Sequence, residues 1–289
     1  MLKPLSHYRR RIAEKGITGV IVSRWRWYRI IVSRWRWYRQ VKEAPSRLKF
    51  YWFHRHVFGI TNTKFDISFR VFSQSFVNDQ YYIRNFIDNV GSAEELFFLD
   101  IGRNHGFVFY YAMYHIMKTN FPVSVVHYYG IDPSPLKFVY FNFHNYLLKA
   151  GIKIHYHIID RAVVFNADRN AILKYGENNF GNFHILGSNY ADQAVTHPAN
   201  YEYVELKVDT ISFADVLEMV KKHIAKDVII IKIDCKNRTA YMFSRILDLL
   251  SSSKTNYLIS CERDESADRD LSAYARTGFN VLSASNVVR

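Results

Sequence analysis

The sequence predicts an α/β fold, a mostly parallel sheet of seven strands preceded by a basic extension. Three observations predict it. Short apolar runs alternate with helix-length segments, the pattern of parallel strands joined by right-handed crossovers. Five of those runs end in an acid, at Asp100, Asp132, Asp160, Asp234 and Glu262. The first is followed by a glycine-containing turn, Gly102-Arg103-Asn104-His105-Gly106, and then by an apolar segment of helical length. Such a turn at the carboxyl end of a parallel strand leaves backbone N–H groups free at a helix N-terminus, and its glycines let a ligand approach the main chain.

Taken in order, residues 1–60 form the extension. They hold 15 Lys/Arg and 2 acids, whereas the remaining residues hold 24 of each sign, so the whole net charge of +13 sits in the extension. All five tryptophans, Trp25, Trp27, Trp35, Trp37 and Trp52, lie there too. The nine residues from Ile21 to Arg29 recur from Ile31 to Arg39. On a helix a ten-residue shift turns the pattern by roughly 280°, so the copies do not share a face. As one extended strand, about 20 residues without Gly or Pro far exceed usual strand lengths, and we read the segment as helical. Arginine interleaved with tryptophan suits an anionic membrane surface or stacking on bases with guanidinium groups on phosphates. The same pattern also serves as a solvated basic helix whose aromatics pack on the next domain. The second domain is residues 61–289.

Residues 48–76 are aromatic and β-prone, and 76–90 read as a helix closed by Gly91. The first sheet strand ends at Asp100 and a helix follows from near Gly106 to about Lys118. Residues 123–131 are a buried strand ending at Asp132-Pro133, residues 135–150 a helix stopped by Gly151, and residues 152–159 a third strand ending at Asp160. Parallel pairing brings Asp100, Asp132 and Asp160 to one edge. Residues 176–198 are polar and Asn/Gly-rich, an excursion over the strand tips. Then follow a strand (201–212), a helix (213–223), a strand ending at Asp234, a helix (239–250), a strand ending at Glu262, a helix (271–277) stopped by Gly278, and a last strand or strand pair (280–288).

The glycine spacing after Asp100 disfavours a dinucleotide, because a pyrophosphate turn needs glycines at i, i+2 and i+5, and Asn104 and Phe107 stand where the second and third belong. An acid at the strand tip, with Gly102 and Gly106 beyond, suits a ligand with a cationic amino-acid end. Asp132 is placed to accept from ribose hydroxyls and Asp160 to reach an adenine amino group; the alternative for each is a helix N-cap, and for Asp160 the two readings weigh equally. His54/His56 and His155/His157 sit two apart, but no third ligand has metal-site spacing, so they read as packing histidines. Cys235 and Cys261 read as free thiols of a reducing compartment. No apolar run approaches the roughly 18 residues of a membrane span, and no secretory leader is visible, so the expected location is cytoplasmic, peripheral to a membrane if the Arg/Trp segment binds one.

With these tips in view, the chain from about Phe76 onward resembles the FkbM family of S-adenosylmethionine-dependent methyltransferases. Leu99-Asp-Ile-Gly-Arg-Asn-His-Gly106 is similar to the family's Asp-x-Gly-Ala-Asn-x-Gly cofactor motif. Gly130-Ile-Asp-Pro-Ser-Pro135 is similar to its Phe-Glu-Pro-x-Pro turn. Arg161-Ala162-Val163 resembles the step after the third strand, Ile231-Lys-Ile-Asp234 the Leu-Lys-Ile-Asp tip, and Ile259-Ser-Cys-Glu262 the strand after it. The resemblance implies a Rossmann-like class I methyltransferase sheet with its last strand antiparallel. It implies S-adenosylmethionine held by Asp100, Gly102, Asn104, Gly106, Asp132, Asp160 and Ala162, and O-methylation of a hydroxyl on a glycan or other hydroxylated metabolite. Asp234 and Glu262 are the candidate catalytic carboxylates. The chain departs from the family at Cys235-Lys236-Asn237-Arg238-Thr239, where Val-Glu-Gly-Ala-Glu is usual, and at Arg103 and His105, where small or apolar residues are common. A non-catalytic S-adenosylmethionine-binding protein and a nucleic-acid methyltransferase docked through the basic extension are the alternatives.

Overall fold

The computed structural model describes residues 48, 50, 52, 72–104, 106–133, 143–165, 170–176, 179–186, 203–234, 239–261, 273–277 and 280–283. The chain divides into two compact units, Met1–Phe53 and His54–Arg289. In the first, Leu48 and Trp52 are helical, against the β-prone reading of that stretch. The duplicated segment 21–39 and the pair His54/His56 lie outside the described residues.

The second unit is built on one central sheet. Its parallel core is β3 (Lys153–Ile159), β2 (Val125–Ile131), β1 (Glu95–Ile101), β8 (Val228–Ile233) and β9 (Asn256–Cys261), side by side in that order. Strands buried on both faces read as continuous apolar runs, and β8 is the clearest case: every residue from Val228 to Ile233 is buried, Lys232 included. Beyond β9 the sheet continues through β10 (Ala273–Thr277) and β11 (Asn280–Ser283). The strand opposing the parallel set is therefore β10, antiparallel to β9, while β11 opposes β10 and runs with the others. This corrects two expectations, the helix over 271–277 and a reversed last strand. Pairing along the open edge of β9 outweighs the helical pattern of Ala273 and Ala275, because strand preference is set by neighbours more than by residue type.

Helices cover both faces. On one, α1 (Ile83–Val90) and α2 (Phe107–Thr119) flank an aromatic layer in which Phe109 lies 4.0 Å from the Tyr128 ring and edge-on to Phe98 at 5.4 Å. A short helix α3 (Phe143–Lys149) leads into β3. On the other face, α4 (Phe213–Lys222) and α5 (Thr239–Ser251) pack on Phe97, Leu99, Ile229, Ile231 and Ile259. Each fully buried aliphatic side chain there contributes about 1.5–3 kcal/mol. Ser212 caps α4, its hydroxyl accepting from the Asp215 N–H at 3.1 Å, and Lys221 and Lys222 close its last turn, where cations complement the helix dipole.

Two more segments differ from the sequence reading. The helix expected over 76–90 is broken: a π-helical turn, Ser73–Val77, ends at Asn78, and α1 starts at Ile83. Asp79 makes the break, because its carboxylate accepts from the N–H groups of Arg84 and Asn85, both at 3.0 Å. Between β3 and α4, where a doubly wound sheet has a crossover helix, the chain forms a four-stranded sheet in the order β4-β7-β5-β6. Its strands are β4 (Ala162–Val164), β5 (Asn170–Gly176), β6 (Asn179–Leu186) and β7 (Tyr203–Ser212). Part of the polar excursion is thus a strand, templated by the long β7 through β5; residues 187–202 lie outside the described residues. Among the described residues no helix is long and apolar enough to cross a membrane.

Candidate ligand site at the carboxyl edge of the sheet

The glycine turn closes tightly onto two strand ends. Gly102 donates its N–H to the Ile131 carbonyl (2.8 Å), and Asp234 donates its own to the Ile101 carbonyl (2.9 Å). Gly102 has φ +75°, and a Cβ there would stand 1.9 Å from the Asp234 carbonyl oxygen. Only glycine permits both the backbone angle and the contact. Asn104 also takes a left-handed angle, φ +51°, and Gly106 introduces α2 at φ +80°. The Asn104 N–H donates to Asp132 Oδ2 at 2.7 Å, so the acid at the tip of β2 grips the turn. The Asn104 side-chain oxygen is buried and has no hydrogen-bond partner among the described residues.

Asp100 is fully buried beneath this turn. Its carboxylate faces Lys232 Nζ at 3.0 Å and accepts from the Tyr128 hydroxyl at 3.2 Å. Burial pushes the Asp100 pKa up, and the lysine and the tyrosine work against that rise. Lys232 is the centre of the cluster. It donates to the Gly102 carbonyl (2.6 Å), lies 3.3 Å from Asp234 Oδ2 and stands 5.6 Å from the Tyr81 ring centre. Burial opposes its charge, but Asp100 and Asp234 outweigh burial and hold its pKa above the ordinary lysine value. The Tyr81 hydroxyl donates to Asp234 Oδ2 at 2.7 Å.

Arg103 forms the second pairing. Its side chain is fully buried, whereas the Asp160 carboxylate it pairs with is largely exposed. The aliphatic stem lies over Gly130, where a Cβ would come within 2.6 Å of the arginine Cδ. One guanidinium nitrogen donates to the Asn104 carbonyl at 2.7 Å and another to Asp160 Oδ1.

Asp100, Gly102, Asn104, Gly106, Asp132 and Asp234 thus gather around one turn, and Asp160 joins them through Arg103. Ala162 is different: it is buried in β4 and pairs with Thr210 of the second sheet. Glu262 lies outside the described residues, as do His105, Cys235, Lys236 and Arg238. Sequence reasoning assigned no role to Lys232, Tyr81 or Tyr128. The signal was present for the lysine, since a charge inside an otherwise apolar central strand is retained only with a buried partner.

The histidines occupy the opposite face of β2 and β3. In-register pairing stacks His127 on His155 (5.0 Å between centres) and Tyr129 on His157 (4.1 Å), with His223 at the end of α4 stacked on Phe97 at 4.5 Å. Burial, with His127 and Lys226 nearby, lowers the His223 pKa to about 4. Among the described residues no group of His, Cys, Asp or Glu is arranged to hold a metal ion. Cys261 is a buried thiol whose pKa burial pushes up to about 12. The chain matches no family model, no curated protein and no solved structure.

Proposed function

We propose that this edge binds the adenosyl and amino-acid moieties of S-adenosylmethionine, and that the protein is a methyltransferase of FkbM type acting on a hydroxyl of a glycan or hydroxylated metabolite. The observation that carries the reading is the turn itself: a glycine-dependent loop gripped by Asp132 that retains a buried, unpartnered acceptor at Asn104. A buried acceptor without a donor is costly unless a ligand or water supplies one. The charge agrees. Asp100, Asp132, Asp160 and Asp234 all stand at this edge, with Lys232 paired to Asp100 and Asp234 and Arg103 to Asp160, and a run of carboxylates at the strand tips suits a cationic ligand.

Asp132 and Asn104 are the residues that would hold the ligand, with Asp160 at the far end of the same edge. When bound, S-adenosylmethionine supplies an electrophilic methyl group. The protein's part is to align an acceptor oxygen and exclude water. A carboxylate near the acceptor removes its proton, and here one observation favours the non-catalytic reading as the second. Asp234, the described candidate for that step, already accepts from Tyr81 and pairs with Lys232, which makes it a poor base.

Calorimetry with S-adenosylmethionine and S-adenosylhomocysteine tests the binding half. Asp132→Ala and Asn104→Gly, the latter keeping the left-handed backbone accessible, are expected to weaken binding at least tenfold. Absence of binding to the unsubstituted protein overturns the reading. Transfer of labelled methyl groups to a panel of hydroxylated acceptors separates the enzyme from the binding protein.

A further inference from the structure

We propose that Arg103 and Asp160 form a latch across the nucleoside end of this edge, so that a ligand enters only by displacing the guanidinium. The inference rests on the nucleoside reading above. Arg103 leaves the chain just past β1, its stem crosses β2 at Gly130, and its guanidinium ends on Asp160 just past β3. One side chain therefore spans the three strand tips along which a ribose on Asp132 and a base on Asp160 would lie. Gly130 makes the crossing possible, because any side chain there would meet the stem.

The two ends of the latch are held differently. The arginine is fully buried and also fastened to the Asn104 carbonyl, whereas Asp160 is 70% exposed. The aspartate end is solvated and screened by salt, so the latch opens at that end. Opening also loosens the turn, since the same guanidinium braces Asn104. A latch closed about four-fifths of the time weakens apparent affinity about fivefold, because only the open fraction binds.

The test uses the full chain with Arg103→Ala, Asp160→Asn and both together, measured by calorimetry with S-adenosylmethionine and by hydrogen exchange without ligand. The latch predicts about fivefold tighter binding in either single variant, Asn at position 160 keeping a carbonyl acceptor for the base while losing the charge that holds the guanidinium, no further gain in the double variant, and faster exchange over residues 102–104 in Asp160→Asn. Equal or weaker binding in both single variants overturns the latch and leaves the cofactor reading standing. If no variant and no unsubstituted protein binds S-adenosylmethionine, the cofactor reading falls and exchange alone decides the latch: unchanged exchange in Asp160→Asn overturns it.

Discussion

Replacing Lys232 by Met tests the electrostatic centre of the sheet. The methionine has similar length and keeps the apolar packing of β8, but it leaves Asp100 fully buried with only the Tyr128 hydroxyl at 3.2 Å. It also frees the Gly102 carbonyl from its 2.6 Å bond and Asp234 from its cation at 3.3 Å. Breaking a buried pair by removing one partner costs about 3–5 kcal/mol, because the remaining charge is uncompensated. For a domain of this size that lowers the melting temperature by roughly 6–20 °C. Urea unfolding followed by far-ultraviolet circular dichroism measures it. Adding Asp100→Asn removes the stranded charge and is expected to restore at least half of the loss. The pH dependence has a definite sign. Without Lys232, the folded pKa of Asp100 rises further above its ordinary 3.8, so the folded state accepts a proton more readily than the unfolded one, and the deficit shrinks as pH falls from 7 toward 4. A loss under 1 kcal/mol at pH 7, or a deficit that grows on acidification, refutes the argument.

Three further outcomes are expected. Gly102→Ala meets both the positive φ and the 1.9 Å approach to Asp234, and it should cost at least about 2 kcal/mol in urea unfolding. Asp79→Ala removes the acceptor of two α1 N–H groups and should cost about 1–2 kcal/mol, with Asp79→Asn recovering part of it. His223 titrates at about 4 in the fold against an ordinary 6.5; the unfolded chain takes up the proton first, so its contribution is complete above pH 6.5 and is lost as pH falls toward 4. His223→Phe keeps the stacking on Phe97 and should flatten the stability profile across that window.

The parallel core was legible because each strand carries its own punctuation. Glu95–Ile101 and Val228–Ile233 are apolar runs closed by an acid or glycine turn, and the segments between them have helical length. What the sequence hides is pairing between distant segments. Residues 273–277 look helical in isolation and become a strand because β9 offers them an edge. The β5–β6 hairpin is concealed by Asn/Gly content and by a register shift at Lys174/Gly176. The same holds at the site: the acids announce themselves at strand tips, but their partners, Lys232 of β8 for Asp100 and Asp234 and Arg103 of the turn after β1 for Asp160, are set by the fold. Arg103 was visible as a departure from a motif, yet its direction depends on the space left by Gly130.

The position of Lys232 also bears on the order in which the chain can mature. The bond from Lys232 to Gly102 joins residues 130 apart in sequence, and such non-local contacts are slow to form. Until β8 docks, a half-sheet of β1, β2 and β3 holds an aspartate among aromatic rings with no counterion. A chain ending before residue 232 lacks the cation that pairs with Asp100, so the interior around β1 is complete only with β8 in place.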